Sequence, residues 1–414
     1  MPRPQPPSSR RWNAALLACV VAASWARGEP LTLAEARARA AQNGPEVLLA
    51  VKRAELAHTQ VAAATPLPNP TLAVTSARQT AKLGTTVSLP LQLFGQRGTQ
   101  RDALEREATS AELDTTALRT DARWTATLAW VDLWEAQRRT ALLDDAVVDA
   151  KRVAQVAAEK FGAGSSPRVD VLRTAAELAR IGAEAAAARQ TTLAAAERLA
   201  LTVGVEQQLE AQGALHFVDE VPTVDQLLLR IGEHPTLARD RARIDAADLH
   251  LTAERRGRWP QVTPQVTVNL FDPTLAGPDF IFGLSLEVPV LDQRTGVIDR
   301  AVAQRSLAEL EAALERARLS TAVSEGSNRA RAAHLRLRAL TEDVLPLLDE
   351  ARQLTDEGYQ SGYFDLVRLL DARRAALETR LAIVDAHATW ARAMADVERA
   401  AGVELLAEEA THAP

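Results

Sequence analysis

Cysteine is all but absent from this chain: Cys19 is the only one in 414 residues. That excludes a fold stapled by disulfides and any metal site built from thiolates. The seven histidines (His58, His216, His234, His250, His334, His387 and His412) include no pair at ligand spacing, so neither a metal site nor a cofactor is expected. Aromatic residues are scarce at 4%, although 47% of the chain is hydrophobic, much of it alanine. Such a composition favours thin helix–helix seams over a thick globular core. Basic charge is in deficit, 48 Lys and Arg against 54 Asp and Glu, which is no nucleic-acid profile. Past the N-terminus no run is apolar enough for a spanning helix, so any entry into a membrane must use strands. No nucleophile elbow, phosphate loop or paired-carboxylate site appears in a supporting context, and an enzyme is not expected.

What is present begins with a leader. Arg10 and Arg11 precede the apolar run Ala14 to Ala23, and Ser24-Trp25-Ala26 offers small residues for cleavage. Residues 1–28 therefore read as a secretory signal. Leu16-Leu17-Ala18-Cys19 resembles a lipoprotein box only faintly, because the apolar run continues past Cys19. Removing the leader takes away Arg3, Arg10, Arg11 and Arg27 and no acid, leaving 44 basic and 54 acidic residues, a net −10.

The remainder says the same thing twice. Phe161-x-x-Gly164 recurs as Tyr359-x-x-Gly362, Leu172 as Leu370 and Gly204 as Gly402, each pair 198 residues apart. Earlier in each copy, Pro45 and Pro70 recur as Pro235 and Pro260, 190 apart. The pattern divides the chain into a first repeat, 29–220, a second, 221–402, and a tail, 403–414. Each repeat opens with helices. A β-hairpin follows, at about 70–94 and 261–291, and then a coiled-coil hairpin, at about 98–204 and 297–402. Glycine and proline are missing from Thr99 to Phe161, and a helix over that stretch would measure roughly 95 Å, too long for an ordinary globular domain. Gly326 and Pro346 are expected to interrupt its counterpart in the second repeat. The change of offset from 190 to 198 places the extra residues in the loop Phe271 to Asp279.

The hairpins alternate apolar with Thr, Ser and Gln, as in Thr85-Val87-Leu89-Leu91-Leu93 against Thr86, Ser88 and Gln92. Val262, Val266, Val268 and Leu270 alternate with Thr263, Gln265, Thr267 and Asn269, and Phe280, Phe282, Leu284 and Leu286 continue the pattern. Two half-buried hairpins of a soluble protein would also alternate. The leader and the long helices favour strands that cross a bilayer, apolar toward lipid. Phe94, Trp259, Phe271, Phe280 and Phe282 then suit an interfacial aromatic girdle. Four strands cannot close a membrane barrel, so closure demands further copies of the chain.

In this order the residues resemble the TolC-like outer-membrane efflux proteins. The resemblance rests on Leu33-Ala34-Glu35-Ala36 with Asn43 and Pro45, Leu67-Pro68-Asn69-Pro70, and Leu89-Pro90-Leu91 leading to Gly95-Gln96-Arg97-Gly98. Val288-Pro289-Val290 leading to Gln293-Arg294, Val344-Leu345-Pro346-Leu347 and the two aromatic-x-x-Gly turns complete it. It covers essentially the whole chain after the leader. The family implies a mainly α fold with a transmembrane β-barrel: a homotrimer with four strands per protomer, a 12-stranded β-barrel in outer-membrane lipid and an α-helical barrel in the periplasm. It implies a passive exit duct with no chemistry of its own. The partners would be a periplasmic adaptor (membrane fusion protein), docked at the helical tips through Phe161, Gly164, Tyr359 and Gly362, and an inner-membrane pump. The short C-terminus and the Gly95 to Gly98 element look like the branch serving heavy-metal pumps of the resistance–nodulation–division class. A drug-efflux or type I secretion channel is the alternative, and a periplasmic coiled-coil adaptor is the second.

In that family two acidic residues at i, i+3 spacing constrict the entrance near the second turn. Here those positions hold Arg368 and Asp371, and the first departs from the pattern. The equivalent positions near the first turn are Asp170 and Arg173, so the two tips carry mirrored pairs. These four residues are the expected periplasmic gate, able to bond within a tip or across to the other.

Overall fold

The computed structural model describes residues 28–64, 66–76, 83–213, 215, 223–271 and 277–406. The expected leader with Cys19, the residues 272–276 of the lengthened loop, and the end of the tail lie outside the described residues. The chain divides into two compact units, one formed by residues 49–118 and 232–318, the other by the remainder.

The first of these contains the only four-stranded sheet among the described residues. Its strands are β2 (Thr71–Thr75), β3 (Leu83–Ser88), β5 (Gln261–Leu270) and β6 (Asp279–Glu287), in the order β2-β3-β5-β6 and antiparallel throughout. Pairing runs past the end of β3, because Leu89 donates to the Pro264 carbonyl and Leu91 exchanges two bonds with Val262. Pro90 has no N–H to give, so the strand lapses there and resumes at Leu91. The same unit holds the later part of α2 (Pro45–Ala64), the start of α3 (Gln96–Gly162), α6 (Pro235–Arg256) and the start of α7 (Thr295–Arg338). Two histidine–glutamate contacts tie helices to α3 here: His58 to Glu112 at 2.7 Å and His250 to Glu107 at 2.8 Å.

The other unit is helical. It holds α1 (Leu33–Asn43), the rest of α3, α4 (Arg168–Val203), α5 (Val224–Arg230), the rest of α7, α8 (Leu345–Gln360) and α9 (Leu366–Ala401). Thr32 and Glu35 form a reciprocal capping box that starts α1. Gly204 and Gly402 end α4 and α9 in the left-handed conformation, which costs glycine nothing. The composition suggests thin seams alone, yet a true core exists: Trp130 and Trp390 are fully buried with Leu31, Leu133, Leu199 and Met394. The Trp130 indole donates to the Leu31 carbonyl, which satisfies its one polar atom. That bond fixes a two-strand parallel pair, β1 (Glu29–Leu31) with β4 (Leu209–Ala211), that the sequence pattern did not reveal.

Gly326 does not interrupt α7. A Cβ there would lie 2.8 Å from Val397 Cγ2, so the glycine lets α7 and α9 approach closely. Pro346 does leave a mark. It lacks an N–H for the Glu342 carbonyl, and the chain answers with a π turn over Ala339–Val344, in which Leu345 donates to Leu340, five residues back.

Candidate functional site: an apolar-faced sheet and two glycine-closed tips

The register of the sheet sorts most of its side chains by face, with Thr85 among the apolar rows and Ala73 and Ile281 on the other side. Leu72, Val87, Val266 and Phe282 form one cross-strand row, and Val74, Thr85, Val268 and Phe280 the next. Pro264 pairs with Leu284, and Val262 with Leu286. Between these rows, on the opposite face, run Thr71, Ser88, Gln265 and Gly283, and Ala73, Thr86, Thr267 and Ile281. The hydroxyls pair across strands, Thr71 with Ser88 and Thr86 with Thr267, both at 2.8 Å. The apolar face is uncovered: Leu72 is 67% exposed, Phe282 79% and Leu284 63%. Each such side chain left in water forgoes about 1.5–3 kcal/mol of burial, so water is a poor solvent for this face. β5 and β6, at 10 and 9 residues, have the length of bilayer-crossing strands.

The five expected girdle residues fall on this sheet or at its ends. Phe280 and Phe282 belong to its apolar rows. Phe271 follows β5 with a positive φ of 61° and is exposed. Phe94 and Trp259 stack with ring centroids 5.4 Å apart.

In the helical unit the two tips close with the same hydrogen bonds. Gly164 donates to the Phe161 carbonyl and Ser165 to Lys160; Gly362 donates to Tyr359 and Tyr363 to Gly358. Gly164 and Gly362 sit at φ 73° and 80°, which explains the glycine of each motif. The residues before them differ. Gly358 stands where the first tip has Lys160, and the Phe364 ring lies over its bare backbone, where a Cβ would be 2.2 Å away. Lys160 in turn places its ammonium 4.0 Å from the centre of the Tyr359 ring and donates to that residue's carbonyl at 3.3 Å. Buried Val153, Leu366 and Leu369 pack beside this contact.

Of the four expected gate residues, Asp170 lies near enough to Tyr359 to influence it. Burial, and then the Asp170 charge, pushes the phenol above its ordinary range. The Arg368 guanidinium stacks over Phe364 at 5.3 Å, and its amide is capped by Asp365. Among the described residues Asp170, Arg173, Arg368 and Asp371 form no ion pair within the chain, either inside a tip or between tips. The inter-helix pairs lie further along: Arg374 to Glu177 at 3.1 Å, Arg373 to Asp356 at 2.7 Å and Arg380 to Asp349 at 2.7 Å, around a cavity of about 110 Å³. Hydrogen bonding to Arg180 holds the Glu177 carboxyl below the usual range. Sequence spacing did not point to Lys160 or to this network, because the partners come from different helices. No group of three or more His, Cys, Asp or Glu among the described residues could hold a metal ion, and no described helix is long and apolar enough to cross a membrane.

Residues 229–403 match the family described as outer membrane efflux protein. The chain is 26% identical to the cobalt-zinc-cadmium resistance protein CzcC of Cupriavidus metallidurans over 90% of both sequences. The Campylobacter jejuni CmeC outer membrane channel has the same fold, with a TM-score of 0.76 at 15% identity over 89% of this chain and 85% of that one. The open-state MtrE outer membrane channel of Neisseria gonorrhoeae gives 0.71 at 18% identity over 90% and 89%.

Proposed function

We propose that this chain is the outer-membrane exit duct of a tripartite efflux system, passing substrate passively from the periplasm and an inner-membrane pump to the exterior. The observation that carries this reading is the sheet: one face is apolar and uncovered, the other bears hydroxyls and amides, and β2 and β6 are edges without a partner among the described residues. An open edge in hydrocarbon costs several kcal/mol for each unpaired backbone group, and about eight strands are the practical minimum for closure. A homotrimer that joins β6 of one copy to β2 of the next removes every edge and closes a twelve-stranded barrel. The helices next to those edges support it. α2 leaves Leu49 and Leu56 exposed, and α7 leaves Leu307, Leu310 and Leu314 exposed, as faces awaiting a neighbouring copy would be. The helices of the two repeats then make the periplasmic conduit, with Phe161, Gly164, Tyr359 and Gly362 offered to an adaptor. Extraction from outer membranes as a heat-sensitive trimer, and ion conductance in planar bilayers, are the expected results. A monomer that stays out of the membrane fraction sinks the reading.

The cargo we propose is heavy-metal cations, on the strength of the end-to-end similarity to CzcC. A deletion strain should lose growth on cobalt, zinc or cadmium. Sensitivity confined to drugs reverses that choice. At the tips, Asp170, Arg173, Arg368 and Asp371 are proposed as the charge ring of the closed state, their partners supplied by neighbouring copies. The double variant Arg368→Asp, Asp371→Arg should raise bilayer conductance several-fold, and unchanged conductance removes the ring from the gate.

A further inference from the structure

At one end of the sheet three strand–helix junctions meet: the segment after β3, the turn between α6 and β5, and the segment after β6. The last turn of α6 carries Arg255 and Arg256 and the turn into β5 carries Arg258, all exposed. Arg256 donates to the Gly95 carbonyl at 3.3 Å, and Arg258 to the Gln293 carbonyl at 2.9 Å. The turn is thereby stitched to both other junctions. Gly95, at φ 76°, is the notch that admits the Arg256 guanidinium, since a Cβ there would lie 2.8 Å from Nη1. A carbonyl positions a guanidinium but does not neutralise it, and among the described residues none of the three arginines has a carboxylate partner. Arg294, close by, is neutralised by Glu254 at 2.7 Å. Cations in the last turn of α6 complement its dipole, but that accounts for neither Arg258, beyond the helix, nor the bonds to distant loops.

Next in the chain stands the stacked, exposed pair of Trp259 and Phe94, and three residues further Val262 begins the apolar face. At about 3.3 Å per extended residue, the chain passes from cation through aromatic to apolar within roughly 10–20 Å. That is the order and scale of phosphate, interface and hydrocarbon in one leaflet.

We propose that Arg255, Arg256 and Arg258 form a site for the phosphate of a phospholipid headgroup, with the Trp259–Phe94 pair packed against the glycerol region of the same lipid. The site rests on the proposal that the sheet is part of a membrane barrel, and it lies in the leaflet next to the helices. The test titrates the detergent-purified full-length protein with dioleoyl phosphatidylglycerol by native mass spectrometry, with inorganic phosphate in a parallel arm. Arg255→Gln, which breaks no hydrogen bond seen in the chain, should weaken lipid retention about fivefold. Adding Arg258→Gln should take the loss beyond tenfold, while Arg258→Lys, which keeps the charge, stays near wild type. If folded trimers of the double variant hold the lipid as tightly as wild type, or if inorganic phosphate displaces it at equal concentration, the site is not a lipid site. A wild type that neither trimerises nor enters vesicles removes the barrel itself, a different failure.

Discussion

A handful of side chains hold segments that are far apart in sequence. Glu398 is the clearest. Its carboxylate is 2.6 Å from the Arg37 guanidinium, which also donates to Thr127 and to the Leu406 carbonyl, and it accepts from the Leu405 and Leu406 amides. Burial pushes this carboxyl up, and the Arg37 charge and the two amides pull it back. Glu398→Ala strands a buried cation and two amides, and should cost about 3 kcal/mol. Glu398→Gln, which still accepts, should cost less; chemical denaturation of the two variants measures the difference. The residues that spacing reveals are of another kind. Gly164, Gly362, Gly204 and Gly402 are legible because a left-handed backbone is a local property with a local signature. Arg37 and Glu398 stand 361 positions apart, and Arg256 and Gly95 stand 161 apart, so no local pattern announces either pair. Gly326 misleads for a related reason: a glycine that frees the backbone and one that makes room for a neighbouring helix look alike in sequence.

Among elements, the long helices and the alternating strands are read most securely, since each repeats its periodicity many times. The three-residue strands β1 and β4 hold too few residues to show a period, and only the indole of Trp130 and the ladder between them reveal the pair. The joint between α6 and α3 has a pH dependence that periodicity cannot show. Its hydrogen bond to Glu107 raises the His250 pKa, partial burial opposes, and the charges of Glu107 and Glu254 add to the rise. Because the folded pKa lies above the unfolded value of about 6.5, this stabilisation is complete below that pH and fades as pH rises through the folded pKa. Thermal melts of His250→Gln should therefore lose part of the slope that wild type shows between about pH 6 and 8. Identical slopes would assign the dependence elsewhere.

For the whole molecule the decisive surfaces are those the chain leaves uncovered. Leu307, Leu310 and Leu314 recur at helical spacing on α7, and nothing among the described residues covers them. In the trimer proposed above, Leu310→Glu should weaken each contact between copies by about 2 kcal/mol and shift the protein toward monomer in analytical ultracentrifugation. A trimer undiminished by that change places the contact on another face. The same substitution in a soluble monomer would be almost silent, which makes it a sharp measure of assembly.

The π turn at Ala339–Val344 gives the two helical hairpins unequal stiffness. α3 descends to the first tip without a break over 67 residues, while the route to the second tip passes a point where Pro346 removes a donor and the winding has already loosened. α8 beyond that point buries none of its residues. Amide exchange should run faster there than at the matching level of α3. Mechanical compliance is thus concentrated in one hairpin, at a joint already looser than the helix around it.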